Sequence, residues 1–105
     1  IEGRLFAVDT PQGLRRRAFG GDVVDLTLSA PVDERAQRKL DALPFARRAT
    51  QTGELTMRLV VNDASTAIPT LVEWSPAPDT TVESIHEYLP PFDDVFVELV
   101  KQDER

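Results

Sequence analysis

Cysteine is absent from this 105-residue chain, and histidine, methionine, tryptophan and tyrosine each occur once. Without cysteine there can be no disulfide, no thiolate metal site and no cysteine nucleophile, a composition suited to a reducing compartment. With a single histidine, a transition-metal site would have to be built mostly from carboxylates. Long apolar runs are also missing: none approaches the ~18 residues of a membrane-spanning helix, and no basic-then-apolar leader is present. The chain is expected not to cross a membrane itself. No internal repeat or low-complexity tract appears. What is present is ordinary for one globular domain, with 41% hydrophobic and 29% charged residues and room for one modest core.

The formal net charge of −6 argues against nonspecific nucleic-acid binding, which needs Lys and Arg to displace phosphate counterions. The charge is lopsided. Residues 1–52 carry nine Lys/Arg against seven Asp/Glu, and residues 53–105 carry three against eleven. Such a tilt can orient a partner.

The densest apolar pattern lies near the C-terminus, in Pro90-Pro91-Phe92-Asp93-Asp94-Val95-Phe96-Val97-Glu98-Leu99-Val100. Phe92, Val95, Phe96, Leu99 and Val100 follow i, i+3, i+4, i+7, i+8, the stripe of an amphipathic helix. Pro91 suits the first helical position, and Asp93 and Asp94 suit the positive end of the helix dipole. The expectation is that this whole stripe packs on the rest of the domain.

Earlier in the chain, Leu5–Val8 reads as a short strand. Thr10-Pro11 then caps a helix over about 11–19, which Gly20-Gly21 stops. Arg15, Arg16 and Arg17 span most of a turn and read as a solvated face. Asp22–Ser29 alternates, with Val24, Leu26 and Leu28 on one side, as a half-buried strand does. A helix begins near Asp33, buries Ala36, Leu40 and Leu43, and ends at Pro44. Phe45–Thr52 and Glu54–Val61 read as a hairpin around Gly53. A helix over about Thr66–Trp74 points Ile68, Leu71 and Val72 inward, with Pro69 fitting only in a first turn. Thr80–Leu89 is the last strand. The fold class is therefore α+β: a ferredoxin-like βαββαβ antiparallel sheet with an extra N-terminal strand–helix segment and a C-terminal helix. Both crossover helices lie on one sheet face, and the other face is left open unless the last helix or another chain covers it.

Chemistry is sparse. Asp93-Asp94 with Glu98 is the densest acid group, explained by dipole and capping service rather than by cation binding. His86 sits mid-strand with no nucleophile in any motif around it, and reads as a strand-surface residue. Trp74 reads as a core-edge aromatic. The phosphate-binding loop, the dinucleotide fingerprint and the serine-hydrolase elbow are all missing. No catalytic, cofactor-binding or metal-ligating residue is assigned.

Two stretches carry a resemblance. Gly3-Arg4-Leu5-Phe6-Ala7-Val8-Asp9-Thr10-Pro11-Gln12-Gly13-Leu14 resembles the G-[KR]-hydrophobic-x-x-x-G-T-P-x-x-L segment that closes the nucleotide-binding domain of ABC transporter ATPases. Pro90-Pro91-Phe92-Asp93-Asp94-Val95-Phe96 resembles the P-S-L-E-D-V-F motif ending ATPase subunits of the drug-exporter type. Asp9 stands where the family usually has Gly, Phe92 replaces Leu, Asp93 replaces Glu, and Glu87 takes a position that is usually apolar.

This resemblance implies that residues 1–21 are the tail of an ATPase domain with its connecting helix. Residues 22–105 would then be a C-terminal accessory domain for regulation or assembly. ATP and Mg would belong to the missing ATPase core, with no cofactor in this fragment and no enzymatic activity of its own. Implied partners are the ATPase core of the same chain, a second ATPase subunit, the membrane permease subunit and a second copy of this domain, with no nucleic acid and no insertion into the bilayer. The implied location is cytoplasmic, at the membrane only through the transporter complex. Phe92, Asp93, Asp94, Val95 and Phe96 become the candidate protein-interface residues. The abrupt start without methionine reads as an excised piece of a longer chain, and Ile1-Glu2-Gly3-Arg4 reads equally as native sequence or as a processing-site remnant. The alternative function is a stand-alone small-molecule-sensing ferredoxin-like module, since an uncovered sheet face would permit two such domains to pair their sheets and hold a ligand at the seam. A more distant one is a small enzyme using Asp93/Asp94 or His86.

Overall fold

The structure, a computed structural model, describes residues 10–103. The expected strand at Leu5–Val8 lies outside them. Eight elements follow in order: α1 (Pro11–Phe19), β1 (Asp22–Leu28), α2 (Glu34–Asp41), β2 (Ala46–Gln51), β3 (Thr56–Val61), α3 (Ala64–Val72), β4 (Val82–Tyr88) and α4 (Phe92–Asp103). The sheet order is β2-β3-β1-β4, and every neighbouring pair is antiparallel. Each crossover helix thus carries the chain past one intervening strand, the split βαβ arrangement read from the sequence.

Local chemistry sets the helix starts. The Thr10 hydroxyl accepts from Gly13 N at 3.0 Å, the Asp33 carboxylate accepts from Ala36 N at 2.8 Å, and Pro11 takes the first position of α1. Gly20, at φ 84°, ends α1 in the left-handed conformation that a side chain would resist. Gly21 is required for another reason: a Cβ there would lie 2.3 Å from the Val61 carbonyl oxygen, so the chain enters β1 against the backbone of β3.

The main core forms where the inward phase of two central strands meets two helices. Val24 and Leu26 of β1, and Met57, Leu59 and Val61 of β3, pack with Leu40 of α2 and Ala64, Ala67 and Leu71 of α3. Each fully buried Leu contributes about 2 kcal/mol by transfer from water. Trp74 packs at the edge of this core, as expected.

Helix α3 departs from the expected position. It starts at Ala64, with Asp63 as its N-cap, and ends at Val72. Leu71 is buried and Ile68 packs partly buried against the core, as expected; Ala64 and Ala67 are buried with them, and Val72, expected inward, is exposed. Pro69 sits inside the helix, beyond the first turn. Helix α4 also departs, because only Val95 and Leu99 of the five-residue stripe are buried. They form a second, smaller core with Leu14 and Ala18 of α1. The two terminal helices pack on each other and wall one end of the second sheet face without covering it.

Candidate interaction surface

Helix α4 divides its apolar residues by angle. Val95 and Leu99 are 0% and 2% exposed, whereas Phe92, Phe96 and Val100 are 38%, 42% and 44% exposed. At 100° per residue, these three recur every fourth position and wind slowly along the flank of the buried pair. The Phe92 and Phe96 rings stack with centroids 6.1 Å apart. The Arg15 guanidinium lies 4.6 Å from the Phe92 ring centroid, and its Nε donates to the Pro90 carbonyl at 3.0 Å. Gln102 Nε2 donates to the Ala18 carbonyl at 2.7 Å and fixes the far end of α4 on α1. Of the five residues assigned to an interface, Val95 is thus an internal anchor, while Phe92 and Phe96 present a fixed aromatic ridge and Asp93 and Asp94 stand in solvent beside it. The fully buried anchors of α4 are the aliphatic pair Val95 and Leu99, one turn apart, and Phe92 adds a contact to α1 through Arg15.

One ion-pair network ties this helical pair to the sheet domain. Asp22 sits at the inward phase of β1, and its side chain is 2% exposed. Its carboxylate accepts from Arg16 Nε at 2.8 Å, from Arg16 Nη2 at 3.0 Å and from Ala64 N at 2.8 Å. It therefore grips α1 with one set of lone pairs and the first N–H of α3 with another. Asp63 accepts from the Ser65 hydroxyl at 2.8 Å and from the Thr66 hydroxyl at 2.9 Å, and lies 3.5 Å from Arg16 Nη2. Two carboxylates at the start of α3 complement its dipole, and Arg16 offsets their mutual repulsion.

The Arg16 hydrogen bond holds the Asp22 carboxyl below its ordinary range, against the opposing effect of burial. Bonds from the Ser65 and Thr66 hydroxyls lower that of Asp63. Glu87, on the same sheet face as Val24 through the β1–β4 register, goes the other way. Burial pushes its carboxyl up, and the charge of Asp22 adds to the effect.

Asp22 and Arg16 were not assigned from the sequence as a site. The available signal was the phase of β1, because Asp22 continues the inward series Val24, Leu26, Leu28, where an ionised side chain needs a partner. The partner's identity was not readable, since Arg15, Arg16 and Arg17 have equal local claims.

The second sheet face is ordered in cross-strand rows. Arg48, Val60, Val23 and Tyr88 form the row nearest the terminal helices, and Thr50, Arg58, Asp25 and His86 form the next. Arg58 donates to both Asp25 oxygens, at 2.7 and 3.0 Å, and its guanidinium lies 4.1 Å from the Tyr88 ring centroid. That bond raises the Arg58 pKa further. His86 lies at the strand surface, 3.9 Å from Asp25. Among the described residues no group of His, Asp and Glu is placed to hold a metal ion, and no helix is long and apolar enough to cross a membrane.

No protein-family model matches the chain, and no curated protein or solved structure matches it either.

Proposed function

We propose that this chain is a non-catalytic C-terminal domain of an ABC exporter's ATP-binding protein, acting in subunit assembly or in regulation of ATP-driven transport. The observation that carries this reading is the ridge of Phe92, Phe96 and Val100, exposed on a helix whose other face is locked by Val95 and Leu99. Phe92 and Phe96 of this ridge lie in the segment Pro90–Phe96 that resembles the exporter motif. Stacked aromatic side chains held in place offer contact area at little entropic cost, as binding anchors do. The ATPase core, with its ATP and Mg, would precede Gly21 in the same polypeptide. The domain would then sit in the cytoplasm, reaching the membrane only through the permease subunit.

A second copy of the domain fits the ridge well when the two α4 helices run antiparallel. Phe96 then meets its own counterpart, Phe92 meets Val100, and Asp93 of each helix lies towards Lys101 of the other. A parallel pairing would instead oppose Asp93 to Asp93.

The test is the molar mass of the 105-residue chain by light scattering across a concentration series. A dimer that Phe96→Asp converts to a folded monomer supports self-pairing through α4. A monomer throughout moves the partner to the ATPase core or the permease. Should Phe96→Asp also leave assembly of the full-length ATP-binding protein with its permease unchanged, the reading fails.

A further inference from the structure

The uncovered sheet face carries a feature that the assembly reading does not use. A cavity of about 490 Å3 opens between this face and the terminal helices, within the size range of small-molecule sites. Val23 and Val60 form its floor, and both are buried. Phe19, Tyr88 and Pro90 form its walls. These three residues also line an adjoining space of about 320 Å3 that runs along α4 past Asp94 and Glu98.

The electrostatics of the two ends differ. Arg58 is neutralised by its bidentate bond to Asp25 and sits over the Tyr88 ring, 4.1 Å from its centroid, so it adds wall more than a free charge. Arg48, at the β2 end, has no carboxylate within ion-pair distance among the described residues. It makes a long 3.4 Å bond to the Phe19 carbonyl. Thr50 and Thr52 line the same wall. At the α4 end the adjoining space is lined by Asp94, Glu98 and Lys101; Lys101 Nζ lies 3.5 Å from Glu98 and offsets it, which leaves Asp94 to repel an anion. In a chain of net charge −6, the cavity thus holds one uncompensated cation above an apolar floor.

We infer that this cavity binds a small amphipathic anion, with an aromatic or alkyl body over Val23 and Val60 and a carboxylate, sulfonate or phosphate head at Arg48 and Thr50. The inference rests on the cavity alone and holds whether or not α4 pairs with another chain.

Anilinonaphthalenesulfonate, an aromatic body with one anionic head, is a suitable probe. Its neutral analogue phenylnaphthylamine lacks the head. Titrated into the isotope-labelled chain and followed by amide chemical shifts, the sulfonate is expected to bind saturably and to move Val23, Val60 and Tyr88. Losing one charge-assisted contact, Arg48→Gln should weaken it about tenfold. Arg35→Gln, on the far side of the molecule, should leave it unchanged, and the neutral analogue should ignore both substitutions. Shifts centred on Phe92, Phe96 and Val100, or equal binding of the sulfonate by Arg48→Gln and the parent chain, would overturn the inference.

Discussion

Asp22→Asn is the perturbation whose consequence the structure fixes most tightly. The carboxylate accepts three hydrogen bonds, and its Oδ2 serves both Ala64 N and Arg16 Nη2 while Oδ1 serves Arg16 Nε. An asparagine can place its carbonyl oxygen at the Oδ2 position and keep two of these. Its amide nitrogen must then face Arg16 Nε, donor against donor. A hydrogen bond to a charged group contributes about 1.5–3 kcal/mol, and the Arg16 side chain is 41% exposed and can regain water, so the lower part of that range applies.

The expected loss is about 2 kcal/mol at pH 7, measured as a lowered urea midpoint at unchanged slope, or as a Tm drop of roughly 10 °C. The effect carries a pH signature. Because the folded state lowers the Asp22 pKa, the unfolded chain binds the proton more readily. The stabilisation is therefore complete above the ordinary aspartate range near pH 4 and is lost as pH falls through the lower folded value. The gap between parent and variant should close on acidification below about pH 4. A loss under about 0.5 kcal/mol at pH 7, or a gap that stays constant to pH 3, would refute the latch.

Further outcomes follow from neighbouring groups. Glu87→Gln is expected to raise the urea midpoint at pH 7 and to lose that advantage as pH falls into the ordinary glutamate range, because burial raises the folded pKa of Glu87 and its ionised form opposes folding. Leu99→Ala should cost about 2–3 kcal/mol, at the lower end for a buried leucine, and hydrogen exchange should show the loss confined to α1 and α4 with β1 and β3 still protected. Gly21→Ala is expected to cost at least about 2 kcal/mol by urea titration, because its Cβ would press on the Val61 carbonyl, which the sheet holds in place.

The sequence by itself determined every element that depends on contacts within a few residues. The alternation of Val24, Leu26 and Leu28, the caps at Thr10 and Asp33, and the glycine stop after Phe19 are local rules, and each placed an element correctly. The βαββαβ order followed from those elements, and with it the antiparallel sheet. Local rules failed at α3, where Asp63, Ser65 and Thr66 all offered oxygen atoms as caps. Asp22, 42 residues away along the sheet-to-helix contact, takes the Ala64 N–H and favours the earliest start.

The division of the α4 stripe was likewise a tertiary decision. Periodicity groups Phe92, Val95, Phe96, Leu99 and Val100 on one side of a helix, but α1 is too narrow to cover a stripe that wide. Leu14 and Ala18 accommodate the aliphatic pair, and the aromatic pair is left outside. The open sheet face was legible from the order of elements, but the cavity's lining was not, because its residues come from α1, β1, β2, β3 and β4 and are brought together by strand register and by the packing of α1. Sequence periodicity reports which residues share a face; what each face meets depends on contacts made across the whole chain.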